Sequence, residues 1–265
     1  MTEKKLKKKN NPHELREEFP IEKIEEEKEE EKKEEDWEKE KSHIENYIKT
    51  AVVVPITKIK ILYLFSLEKN FYGTLKNISE RISPLASKDF KETIIEEALE
   101  GLVNEGIVEK IGEEEQQLGV LYFLKELEKA KFIIGMMQKE EIEGLEEEVK
   151  EYIKRKFLIP CVRLEILKFY FLKGKSFIME TCETIANEIK RHETITEKTE
   201  GGMLVKIPVV KLVLEELVQM RIIKKTKLEE GNKICYSSSI SDQVGQDRVE
   251  EIEELIKDLI IKYVR

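Results

Sequence analysis

The sequence predicts a mainly α fold with small β-hairpins, an α+β architecture in which one module is used twice. Three observations carry the prediction. Tyr47-Ile48-Lys49 is followed by five residues and Pro55, and the same spacing returns as Tyr152-Ile153-Lys154, five residues and Pro160; 152−47 and 160−55 both give 105. The apolar residues after each proline keep that offset, Ile59, Ile61, Leu62, Leu64 and Phe65 being answered by Leu164, Ile166, Leu167, Phe169 and Tyr170. In both copies, segments of helical period then give way to a pair of short alternating segments, the order of three helices and a hairpin.

Taken in order, the chain opens on a charged tail, residues 1–35. Lys4, Lys5, Lys7, Lys8 and Lys9 precede Asn10-Asn11-Pro12, and from Glu22 to Lys41 almost every residue is charged. Such a segment has no apolar face to bury and is expected to be disordered or marginally helical. Trp37, Ile44 and Ile48 restore helical spacing and open the first module, residues 36–124. Its first helix is expected from Thr57 to Leu67, with Pro55 and Thr57 in helix-start positions. Phe71-Tyr72-Gly73 closes it, Leu75, Ile78 and Ile82 mark a short second helix, and Pro84 ends that one. Phe90 to Asn104 carries Ile94, Ile95, Leu99, Leu102 and Val103 on one face, with Gly106 placed as the residue that stops a helix in the left-handed conformation. Ile107–Ile111 and Val120–Leu124 alternate as strands about a polar turn.

The second module, residues 158–240, repeats this. Helices are expected over Val162–Leu172, Thr184–Lys190 and Pro208–Met220, and strands over Ile222–Lys227 and Lys233–Ser237. From the third helix onward the offset is 115, since Leu99, Leu102 and Ile107 match Leu214, Leu217 and Ile222. The roughly ten added residues are expected between the second and third helices, in polar Thr194–Gly202. Residues 125–157 read as a long, interrupted linking helix. Residues 241–265 contain a final helix, Asp247–Val264, whose seam of Val249, Ile252, Leu255, Ile256, Leu259, Ile260 and Tyr263 suits the protein's own core or a homodimer.

Composition narrows the function classes. With 47 Lys+Arg against 56 Asp+Glu, the net charge of −9 supplies no overall field toward DNA or an anionic membrane, so any such contact is local. Abundant Lys, Glu and Ile with scarce Gln fit a thermophilic, archaeal source. Cys161, Cys182 and Cys235 are too far apart for a CxxC pair and read as small buried hydrophobes in a reducing cytosol. His13, His43 and His192 cluster with no cysteine. No apolar run reaches the length of a membrane span, and a cytoplasmic protein with no cofactor is expected. Glycine-rich phosphate loops, HExxH and GxSxG are all missing, so an enzyme is not expected.

The order helix, helix, helix, strand, turn, strand, with Leu102-Val103-x-x-Gly106-Ile107-Val108 closing the third helix, resembles the winged helix-turn-helix superfamily, over residues 55–124 and 160–238. As a tandem pair in an acidic chain it is similar to the Cdt1-like winged-helix replication initiators of crenarchaea. The resemblance implies duplex DNA as partner, in replication initiation at an origin or in transcription regulation, with the third helix and the wing as contacts. The same fold also serves as a protein docking module, so an adaptor is the alternative, with a protein partner on the first module or on the third helix of the second.

Charge separates the two copies. Val53–Leu124 has 8 Lys+Arg against 12 Asp+Glu, and the outward positions of its third helix are expected to be Glu96, Glu97, Glu100 and Glu105, with Glu113-Glu114-Glu115 in its turn. Leu158–Ile240 has 14 against 11. Its excess falls at Lys190, Arg191, Lys206, Lys211, Arg221, Lys224, Lys225, Lys227 and Lys233, the expected DNA-binding residues. Without outward Asn, Gln or Arg on its third helix, this module is expected to hold the backbone rather than read bases.

Overall fold

The computed structural model describes residues 21–67, 72–82, 88–112, 120–137, 147–172, 178–190, 207–228, 233–238 and 246–264. The fold is mostly helical, with two small antiparallel sheets. By its contacts the chain divides into Met1–Lys41 and Ser42–Arg265, and both repeats lie in the second unit. The first repeat contains α2 (Val54–Leu67), β1 (Tyr72–Thr74), α3 (Leu75–Ile82), α4 (Lys88–Asn104), β2 (Val108–Ile111) and β3 (Leu121–Leu124). The second contains α7 (Ile159–Leu167), β4 (Glu180–Thr181), α8 (Cys182–Lys190), α9 (Ile207–Gln219), β5 (Ile223–Lys227) and β6 (Ile234–Ser238). Ahead of them runs α1 (Ile21–Ile48). Between them lie α5 (Leu127–Met137) and α6 (Glu147–Ile153), and α10 (Gln246–Val264) ends the chain.

The charged tail is helical from Ile21, well before the expected onset at residue 36. Glu and Lys are strong helix formers and meet at i, i+4, as in the 2.8 Å pair of Lys39 with Glu35. The lysines of residues 4–9 lie outside the described residues. Trp37, Ile44 and Ile48 are buried, as their spacing predicts.

The repeated signature is a π-helical turn, not the helix boundary that its proline suggests. Lys49–Val53 and Lys154–Leu158 are both π turns, and helix continues on either side of each. The Val54 amide donates to the Lys49 carbonyl and the Ile159 amide to that of Lys154, the i→i−5 pattern of an inserted residue. A proline has no N–H to give and crowds the carbonyl four residues back, so it breaks a tight helix; one extra residue in the preceding turn lets the chain carry on. Thr57 accordingly caps nothing: it is buried inside α2, and its hydroxyl donates to the Val53 carbonyl at 2.9 Å. Because the helix is unbroken, Glu34–Leu67 is long and apolar enough to cross a membrane by length and composition, which a break at Pro55 would have prevented. Half of its most apolar window is buried in the protein, where Val52, Val53, Ile56, Ile59, Ile61, Leu62 and Phe65 serve as core.

Each sheet has three strands rather than the expected two, in the orders β1-β3-β2 and β4-β6-β5. The extra strands have three and two residues, too short to show a period, and β1 includes Gly73 opposite Tyr122. Each leads straight into a helix capped by its last threonine: Thr74 Oγ1 accepts from the Asn77 amide and Thr181 Oγ1 from that of Thr184, both at 3.3 Å. With α3 starting at Leu75 and α8 at Cys182, the offset is already 107 here (182−75), so the insertion is split. Two residues enter before the second helix and eight after it; Thr194–Gly202 lies outside the described residues.

The linking segment is two helices, α5 and α6, with 138–146 outside the described residues. A third π turn, Lys168–Leu172, extends α7 and buries Phe169, Tyr170 and Phe171 in succession. The seam of α10 packs on this turn and on the first one, burying Ile256, Leu259 and Ile260. Part of that seam is thereby used within the chain; the side chains of Val249, Ile252 and Tyr263 lie outside the described residues. Cys161, Cys182 and Cys235 are buried and unpaired.

The two repeats hold each other through their signature tyrosines. Tyr47 donates to Glu216 Oε1 at 3.0 Å, while Arg163 reaches Glu216 Oε2 through Nε at 3.1 Å and Nη2 at 2.7 Å. The third guanidinium nitrogen, Nη1, donates at 3.1 Å to the Ala51 carbonyl, the group that residue 55 of an ordinary helix would bond and Pro55 cannot. On the other side Tyr152 lies beside Glu105, which is held by Lys58. Lys58, at the position equivalent to Arg163 (163−58 is 105), bonds Glu105 Oε1 at 2.8 Å across Gly101, where any side chain would collide with it. Burial and then the Glu105 carboxylate push the Tyr152 phenol up. Glu105 therefore belongs to this junction and not to the outward face of α4.

Burial is also the first cause of the upward shifts of Tyr47, Tyr170 and Tyr236, whose hydroxyls are all hydrogen-bonded. For a phenol held neutral in the fold, the stabilising contribution is complete below the unfolded value of 10.0 and is lost as pH rises past it. Alkaline unfolding is therefore expected to begin near pH 10.0, with phenolate absorbance rising together with loss of helical dichroism. Phenolates titrating fully while the helix signal holds would contradict this packing.

Candidate nucleic-acid interface

The candidate face is built by α9, β5 and β6 of the second repeat, and superposing the two repeats by sequence offset sorts its charges. Lys225 bonds Glu215 at 2.6 Å, and Tyr236 donates to the same carboxylate at 2.9 Å. The first repeat has the same triad in Lys110, Glu100 and Tyr122, with the ion pair at 2.9 Å and the phenol at 3.5 Å. An arrangement present in both copies ties the third helix to the sheet. The Lys225 ammonium, then the Tyr236 hydroxyl, hold Glu215 below the usual carboxylate range despite its partial burial. Lys225 thus has a structural partner within the fold.

At neighbouring positions an acid or a glycine gives way to a base instead. With 211−96, 224−109 and 221−106 all equal to 115, Lys211 stands where the first repeat has Glu96, Lys224 where it has Glu109, and Arg221 where it has Gly106. Lys211, Arg221, Lys224, Lys227 and Lys233 are all exposed. Edge-strand protection does not account for the change. β2 and β5 are both edges, and a negative side chain such as Glu109 guards an edge as well as a lysine does.

Arg221 adds a backbone observation. Gly106 stops α4 at φ +69°, with the Ile107 amide donating to the Leu102 carbonyl at 3.0 Å; Arg221 stops α9 in the same way at φ 59°, the Ile222 amide donating to Leu217 at 3.0 Å. A side chain there costs about 1–2 kcal/mol against glycine, partly offset by glycine's greater freedom when unfolded. Arg221→Gly is expected to stabilise the protein by a net ~0.5–1 kcal/mol in urea titration. A loss of stability would show that the guanidinium contributes more to the fold than the backbone strain removes.

Lys211 of α9 and Lys233 beside β6 border one cleft of about 500 Å³, which also takes in Cys182 and Glu183 from the first turn of α8, together with Ile207 and Ile234. Lys227 pairs across the sheet with Ile234 and so shares its face. Five of α9's apolar residues, Val209, Val210, Val213, Leu214 and Leu217, are buried; Leu212 is 54% exposed and Ile207 41%. In the first repeat, Glu96 and Glu97 are exposed and Glu97 pairs with Lys49 at 3.0 Å. Lys190 ends α8; its side chain, Arg191, Lys206 and the turn Glu113–Gln117 lie outside the described residues. What sequence reasoning missed is the double use of a glutamate pair: Glu215 binds the sheet and Glu216 binds the other repeat. Only the matching Glu100 and the signature tyrosines hinted at this. No protein-family model matches the chain, and no curated protein matches it significantly.

Proposed function

We propose that the protein is a tandem winged-helix DNA-binding protein of replication initiation or transcription regulation, with the second repeat gripping the phosphate backbone. The helix, strand, helix, helix, strand, strand order of both repeats supports the fold assignment. The observation that carries the function is the charge reversal at matched positions. Glu96 and Glu109 of the first repeat are replaced by the exposed Lys211 and Lys224 in the second, whereas Lys110 and Lys225, each paired with a glutamate of the third helix, are kept in both. Phosphate contacts need only cations, and lysines supply them without base reading.

Binding to duplex DNA should fall steeply with salt, with a slope of about 0.9 per phosphate contacted. Replacing Lys211, Lys227 and Lys233 by Gln is expected to lower that slope by roughly one for each lysine, measured by fluorescence anisotropy over a salt series. Lys225→Gln should leave it unchanged. Absence of duplex binding at low salt would end this reading. An adaptor role is favoured by one observation, the exposure of Leu212 and Ile207 on α9, and a protein partner on the third helix of the second repeat is what that exposure would serve.

A further inference from the structure

We propose that the cleft between α8, α9 and β6 receives a single unpaired nucleotide, so that the protein prefers DNA with an unpaired tail or junction to a blunt duplex. This rests on the nucleic-acid reading above and specifies the form of DNA. Lys211 and Lys233 border a hollow: the cleft of about 500 Å³ falls within the ~300–1,000 Å³ of pockets that hold small organic ligands. A duplex, a convex cylinder, is read by elements that project into its grooves and leaves such a hollow empty. The part of a nucleic acid that fits a hollow of this size is one base displaced from its stack, with its phosphate.

The lining suits that ligand group by group. Ile207 and Ile234, each 41% exposed, offer apolar surface to the face of a base, and burying them against it removes two exposed hydrophobes from water. Lys211 and Lys233 stand on the same cleft for the phosphate, while the carboxylate of Glu183 repels phosphate and leaves the base as the group it can meet. Asn, Gln and Arg do not occur in the lining, which also includes Thr181 and Tyr236, so the pocket accepts a base mainly by shape and apolar contact, with the Glu183 carboxylate placed to accept from an exocyclic amine. The first repeat lacks the means: the positions 115 residues before Ile207 and Lys211 are Glu92 and Glu96.

The test uses the full chain and three labelled oligonucleotides: a blunt duplex, the same duplex with a short unpaired tail, and the tail strand alone. Anisotropy titration at low salt is expected to show the tailed duplex binding about tenfold tighter than the blunt one. Changing Ile207 and Ile234 together to Ser should abolish the difference and leave blunt-duplex affinity as it was. Both side chains are substantially exposed, so the variant should fold, and circular dichroism checks that it does. Equal affinity of the wild-type protein for blunt and tailed duplexes would overturn this proposal and leave backbone binding standing. Binding to none of the three would overturn the nucleic-acid reading itself.

Discussion

Replacing Glu216 by Ala should destabilise the protein by about 2–4 kcal/mol, the cost of leaving a largely buried guanidinium without its carboxylate and a phenol without its acceptor. Arg163 and Glu216 have side chains only 16% and 29% exposed, and their bonds at 2.7 and 3.1 Å share a carboxylate with Tyr47. The effect exceeds that of an exposed pair such as Lys39 with Glu35, whose attraction water screens. Urea titration gives the measurement. The double change Glu216→Leu with Arg163→Met should recover much of the loss, because an apolar pair of similar volume has no charge to desolvate. Glu216→Ala at under about 0.5 kcal/mol would mean that the repeats are held by apolar packing alone.

Phe157→Ala is expected to cost about 3–5 kcal/mol, the range for removing a fully buried ring from a close-packed interior. Phe157 is 0% exposed, lies in the second π turn and meets Tyr152 edge-on at 6.5 Å between ring centres. The cavity would therefore open beside the Tyr152–Glu105 contact and loosen one of the two junctions between repeats. A lower urea midpoint with unchanged slope is the expected form of the loss. A cost under about 1 kcal/mol would contradict the packing of that turn.

These two residues illustrate where reading the sequence stops. Phe157 and Glu216 each sit in a segment whose helical character is plain from spacing, yet neither role follows from it. The second and third helices of each repeat were legible because burial of one face imposes a period on neighbouring residues. Gly106 was legible as a stop because its backbone conformation favours glycine, and the same logic failed at Arg221, where the fold imposes that conformation on a residue that does not prefer it. Pro55 and Pro160 read as boundaries from local chemistry. A π turn absorbs them, and the tertiary structure meets the unpaired Ala51 carbonyl with a side chain 112 residues away. The candidate interface was legible as a net charge but not as a set of residues, since which lysine is already paired depends on α9 lying against the sheet.

By itself the sequence determined that one module occurs twice, that each ends in a strand pair after a third helix, and that the copies differ in charge. All of these are properties of residues close in the chain or of comparison between its two halves, and they need no coordinates. Only the tertiary structure decided that the signature is a π turn rather than a helix boundary. It also decided that Lys225 and Glu105 are committed to partners and that Lys211 and Lys233 border one hollow. The physical reason is that a hydrogen bond or an ion pair depends on distance in space, and Tyr47 and Glu216 meet across 169 residues that carry no local trace of the contact. The Tyr-Ile-Lys-x5-Pro repeat marked both ends of the junction without showing that Tyr47 would bond Glu216 of the other copy and that Tyr152 would lie beside Glu105.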